Sequence, residues 1–245
     1  MPYEEYVKEL AELEGFEPAV FEGDASTPQE VCDFVLALAL VYNDLHNSIL
    51  GFQLHRENQP TDLMVQDQAV GSWGGLFTSL LRVQFGIVNE LLALIEKSAE
   101  VTRHPSFVKL LRRLPRSSRE AWGALQDVAD RRQNQGELGK ALTRIRNGVS
   151  FHYSTKEIRR GLSLALDKDK IELLLVSRGP RIGSTRFYFA DAAALNALAA
   201  TIKDSPDHLP AQAELLRLVN RALHEIVIHF VAHRGFAWRE HRPRA

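Results

Sequence analysis

Most apolar positions of this chain recur at spacings of three and four, the period of an amphipathic helix. Val31, Phe34, Leu38, Val41, Leu45, Ile49 and Phe52 share one such stripe and predict a long helix over 28–57. Thr27-Pro28-Gln29-Glu30 ahead of it reads as a capping box with proline at the first helical position. Asn58-Gln59-Pro60 stops it, and Gly51 loosens its last turns. Ser72-Trp73 opens a second long helix to about Ala99, its wide apolar face built from Leu76/Phe77, Leu80/Leu81, Ile87/Val88, Leu91/Leu92 and Ile95. Two such helices joined by a modest connector suggest an antiparallel pair.

His104-Pro105 breaks the pattern, and a short helix over 106–114 ends at Pro115. Ser117-Ser118-Arg119-Glu120 and Ser154-Thr155-Lys156-Glu157 are two more capping boxes. The first starts a helix to about Gln133, the second a helix over 155–166. Between them Leu138, Leu142, Ile145 and Val149 carry a further helical stripe. The period then changes to two. Residues 170–177 and 185–190 are short β-rich runs around Arg178-Gly179-Pro180-Arg181-Ile182-Gly183, which reads as a hairpin inserted at 168–190 on the helical body. Asp191 caps a helix over 192–203, and a last helix runs over 210–233. The ends are weaker. Residues 3–14 read as a short acidic helix closed by Gly15 within an extension over 1–26, and 234–245 as a loose basic tail. The whole reads as one mainly α domain over 1–245.

The charge is unevenly spread. Overall it is −1, but residues 1–62 hold 13 Asp/Glu against 2 Lys/Arg, and residues 103–160 hold 14 Lys/Arg against 5 Asp/Glu. Such a split marks either a nucleic-acid face opposite a partner-binding face, or two amphipathic regions whose charges meet in the fold or across a dimer. The one cysteine, Cys32, excludes an internal disulfide framework and sits in an apolar run as a small core residue. The acidic start, MPYEEYVKELAELEG, has no basic region before an apolar stretch and does not resemble a signal peptide. The longest apolar run, Val31 to Tyr42 apart from Asp33, is shorter than a bilayer requires. A cytoplasmic protein without a membrane partner is expected.

The stretch Arg144-Ile-Arg-Asn-Gly-Val-Ser-Phe-His-Tyr153 carries the main candidate chemistry. Metal-independent RNA cleavage needs a proton-transfer group near neutral pKa and a cation on the phosphate. His152 suits the first role and Arg146, beside the amide of Asn147, the second. On an ideal helix six positions leave their directions about 120° apart, so convergence requires the long arginine to reach round or the helix to unwind near Gly148. The plainer reading makes Arg146 a surface cation, with Phe151, His152 and Tyr153 packing a helix junction.

These residues resemble the signature of the HEPN superfamily. That group of helical bundles carries an arginine followed by a polar residue, with a histidine four to six positions further on near a helix end. Arg146-Asn147-Gly-Val-Ser-Phe-His152 follows that pattern. The resemblance implies a HEPN-like bundle, a composite site formed by a homodimer, and metal-independent endoribonuclease activity without a cofactor. Toxin–antitoxin or antiviral-defence systems use such proteins, so an antitoxin or regulatory partner is implied too; other members only bind. In these terms His152 is the general acid/base, Arg146 the phosphate anchor and Asn147 the residue orienting histidine or substrate. Lys140, Arg144 and Tyr153 contact RNA, with Arg131, Arg132, Arg159 and Arg160 further out. In members silenced by nucleotidylation the modified tyrosine lies two positions after the histidine. Tyr153 follows immediately, so that regulation is not carried over.

Three other constellations carry candidate chemistry. His224-Glu-Ile-Val-Ile-His229 exceeds the zinc-protease HExxH spacing by one residue, which turns its second histidine about 140° away from the first. Glu225, His229 and His233 share a stripe at i, i+4 and i+8, able to hold a metal or to form the polar edge of a helix; no metal is expected there. Asn43, Asp44 and His46 either support the His152 cleft or bond between helices.

Overall fold

The computed structural model describes residues 14–15, 18–59, 68–133, 154–166, 176–177, 186–203, 208–234 and 239–240. Among these the chain is mainly helical. In order, α1 is Gln29–Glu57, α2 Gln68–Lys97, α3 Ala99–Arg103, α4 Pro105–Arg113, α5 Arg116–Gln133, α6 Thr155–Leu166, α7 Tyr188–Lys203 and α8 His208–His233. A 3-10 turn covers Pro18–Phe21. β1 (Glu14–Gly15) pairs antiparallel with β4 (Arg239–Glu240), and β2 (Val176–Ser177) with β3 (Arg186–Phe187).

The chain divides into two compact units. The first takes Met1–Asp44, Leu91–Asp130 and Glu214–Ala245; the second takes Leu45–Glu90 and Arg131–Ala213. The core of the first unit is an aromatic trio from three helices. Phe34 meets Phe107 at 5.5 Å and Trp122 at 6.2 Å, and Phe107 meets Trp122 at 5.5 Å, all edge to face. That arrangement brings each ring's positive edge to a neighbour's negative face. Leu91, Leu125, Val219, Leu223 and Ile226 bury fully around it, as the helical stripes require. Cys32 is buried too, and loss of hydration pushes its thiol above the ordinary range, which disfavours the reactive thiolate.

Capping differs from expectation at the start of α1. Among the described residues the Thr27 hydroxyl has only the Ser26 hydroxyl within reach, at 3.4 Å. Instead Asp24 accepts the amides of Ser26 and Thr27 at 2.7 and 2.9 Å, and Gln29 accepts Gly23 N–H and donates to Phe21 O and Asp33. The Asp24 carboxylate thus organises the turn ahead of α1 rather than the first-turn amides of the helix, and its charge strengthens each of these bonds. At the far end the Asn58 side chain donates to Leu54 O at 2.6 Å, closing the helix before Pro60. His104 caps α4, its Nδ1 accepting Ser106 N–H. This separates α3 from α4 where the sequence suggests only a break.

In the second unit, α6 and α7 approach closely because their facing residues are small. A Cβ on Gly161 would overlap the carbonyl of Ala193 and crowd Ala197, and Ala192, Ala193, Ala194 and Ala197 are all buried. Of the hairpin predicted over 168–190, the described part is the β2–β3 pair and the start of α7. The β-rich run leaves the strand after Phe187: Tyr188 begins α7, so Asp191 lies in its first turn rather than capping it. A carboxylate there complements the helix dipole and pairs with Arg186 at 3.0 Å. The helix expected over 3–14 lies outside the described residues except Glu14, which is in β1. Within the expected loose tail, Arg239–Glu240 form β4. Gln29–Glu57 and Trp73–Lys97 are long and apolar enough to cross a bilayer by length and composition, a test that core helices also pass. The apolar window of the second is 56% buried, that of the first 28%.

Candidate functional site

Arg146, Asn147 and His152, with Lys140, Arg144 and Tyr153, lie outside the described residues, as do the side chains of Arg131 and Arg132. What is described is the boundary that follows them. Ser154 caps α6, its Oγ accepting Glu157 N–H at 3.4 Å and its carbonyl accepting Ile158 N–H at 3.0 Å. Two positions therefore separate His152 from the cap of a helix. The next turn of α6 presents the exposed Lys156, Arg159 and Arg160, with Arg160 3.7 Å from Glu157.

The stripe on α8 forms a chain of neighbours rather than a metal cage. Glu225 Oε2 lies 3.3 Å from His229 Nε2, Glu225 Oε1 lies 3.1 Å from His224 Nδ1, and the rings of His229 and His233 are 5.6 Å apart. Among the described residues no group of three or more His, Cys, Asp or Glu is placed to hold a metal ion. Asn43, Asp44 and His46 are all exposed on α1.

Among the described residues each unit has a notable cleft. That of the first unit encloses about 380 Å³ between the turn before α1, one face of α4 and the end of α8. Ser106, Lys109, Leu110 and Arg113 line it at the i, i+3, i+4, i+7 spacing of a single helical face. Asp24, Ser26 and Thr27 come from the turn, Phe230, His233 and Arg234 from α8. Arg234 is committed: it donates to Asp24 Oδ2 at 2.5 Å, to Val20 O at 3.2 Å and to Glu22 O. Hydrogen bonds from Ser26 and Thr27, then the Arg234 charge, hold the Asp24 carboxyl at about 2. Lost hydration, then Arg113, then His229 push His233 below the ordinary histidine range, which favours the neutral ring.

The cleft of the second unit, about 390 Å³, is aromatic. Trp73 stacks on His55 at 4.2 Å and on Phe77 at 6.5 Å, with Phe52 edge-on to Phe77 at 5.8 Å. Ile49, Gln53, Arg56 and Gln59 complete its walls.

No protein-family model, curated protein or solved structure matches the chain.

Neither cleft was singled out in the sequence. The stripe on α4 has a local signal, since two cations a turn apart flank an apolar position. Asp24 and Arg234 have none: they are 210 positions apart, and only folding makes them neighbours.

Proposed function

We propose that this chain is a HEPN-like endoribonuclease, cutting RNA without a metal by attack of a 2′-hydroxyl on the adjacent phosphate. One observation carries the reading: Arg146-Asn147 followed by His152, placed two residues before the cap of α6 in a mainly helical chain. A histidine has the near-neutral pKa that proton transfer needs. His152 moves the proton, Arg146 binds the phosphate and Asn147 orients them. Lys140, Arg144 and Tyr153 extend the RNA contact, and Arg159 and Arg160 add positive charge on α6. In this reading the protein is a cytoplasmic homodimer that pairs two such motifs, acts as a toxin or antiviral-defence effector, and is held in check by an antitoxin or regulatory partner.

A second reading is favoured by the aromatic cleft. Trp73 and Phe77, backed by the buried His55, offer ring faces beside the cation of Arg56, the composition of a site that holds single-stranded bases without cutting them. In that case the chain is a non-catalytic RNA- or nucleotide-binding module.

Cleavage of a mixed RNA pool in excess EDTA separates the two. The wild type is expected to leave 2′,3′-cyclic phosphate ends, with His152→Ala and Arg146→Ala each slower by about 10²-fold or more. RNA binding by the folded homodimer without cleavage, or equal cleavage by the variants, overturns the enzyme reading.

A further inference from the structure

We propose that the cleft of the first unit binds the phosphate group of a small phosphorylated molecule. The site is independent of Arg146 and His152, so the two readings stand or fall separately. Its electrostatics begin with what is neutralised. The one carboxylate on the wall among the described residues, Asp24, is answered by Arg234 and by the hydrogen bonds of its own turn. Lys109 and Arg113 have no described carboxylate within ion-pair distance, and both are exposed on the face of α4 that lines the cleft. Two cations a turn apart, facing a concave wall without a free anion among the described residues, create a positive potential. A phosphate dianion offsets it, since the arginine fork and the lysine ammonium each supply charge-assisted donors.

The remaining wall fits that ligand. The hydroxyls of Ser26, Thr27 and Ser106 and the ring of His233 are further polar groups on the rim. Val31, Leu110 and Phe230 form an apolar floor and are buried. The enclosed volume of about 380 Å³ exceeds what a lone phosphate needs and lies in the range of small-molecule sites. Such a site takes a phosphomonoester, with the phosphate at Lys109 and Arg113 and its organic part on the floor. His233 reports occupancy. It shares the cleft lining with Arg113 and Lys109 of α4, Asp24 of the turn and its own neighbour Arg234, with His229 one turn earlier on its helix. An added dianion reverses the local repulsion and raises its pKa.

The test is titration of the full chain with inorganic phosphate and with adenosine monophosphate at constant ionic strength, following thermal unfolding and the His233 ring proton by NMR. Both probes are expected to raise the melting temperature and shift the His233 titration upward. Lys109→Gln/Arg113→Gln should weaken the response at least tenfold, whereas Arg116→Gln, an exposed arginine paired with Glu120 away from the cleft, should not. Both substituted side chains are exposed, so the double variant is expected to fold, which its unliganded melting curve checks. No response to either probe, or an equal response in the double variant, overturns the proposal.

Discussion

His55 and Trp73 hold one another by their backbones. The Trp73 indole donates to the His55 carbonyl at 2.9 Å, His55 Nε2 donates to the Trp73 carbonyl at 2.7 Å, and the rings stack 4.2 Å apart at 19°. His55 is buried, so the reciprocal bonds satisfy a side chain that water no longer reaches. Trp73→Phe keeps the stack and removes one bond, an expected cost of about 1 kcal/mol. Trp73→Ala removes both, about 3 kcal/mol. Chemical denaturation of the two variants checks the ratio; equal costs would show that the stack contributes nothing.

Gly161 and Gly123 should respond to alanine with opposite signs. A Cβ at Gly123 meets nothing within 4 Å, so Gly123→Ala removes the entropic penalty of a helical glycine and stabilises by about 0.5–1 kcal/mol. At Gly161 the same atom collides with the Ala193 carbonyl of the facing helix, and pushing the helices apart costs about 1–3 kcal/mol. Urea midpoints of the two variants decide it.

Acid should weaken the first unit through Asp24. Its carboxyl falls from 3.8 to about 2 on folding. The contribution is therefore complete above about pH 4 and lost as pH falls through about 2. Asp24→Asn cannot titrate, and its unfolding midpoint should change less than that of the wild type between about pH 5 and pH 2. Parallel curves would show that Asp24 is not linked to folding.

RNA affinity should carry a salt signature at the other end of the motif. If Lys140 and Arg144 touch phosphates, replacing either with alanine weakens binding alike for every RNA sequence. It also lowers the slope of log affinity against log salt by about 0.7 for a single strand. Fluorescence anisotropy at several salt concentrations measures that slope, and an unchanged value would remove the residue from the interface.

Much of the fold was legible along the chain. The stripe from Val31 to Phe52 lies on α1, Ser154 caps the helix expected over 155–166, and His104-Pro105 parts two helices. Each is a local matter: a period, a cap or a missing N–H acts within one or two turns. Errors fell where two local preferences competed. Phe187, Tyr188 and Phe189 favour a strand by side-chain shape, yet Tyr188 joins α7, where Asp191 and the alanine-rich segment after it favour a helix. Thr27 has a capping hydroxyl, yet the turn before α1 is organised by Asp24, which accepts the Ser26 and Thr27 amides.

The candidate phosphate site belongs to the other category. Sequence alone determined that Lys109 and Arg113 share one helical face, because a helix repeats every 3.6 residues wherever it lies. Only tertiary structure decided that this face meets a turn from residues 24–27 and the end of α8, and that Arg234 neutralises the carboxylate between them. The same holds for Gly161, whose lack of a side chain has meaning only once Ala193 packs against it. Periodicity is written in neighbouring residues. Which faces meet is set by burying apolar surface over the whole chain, and no short stretch contains it.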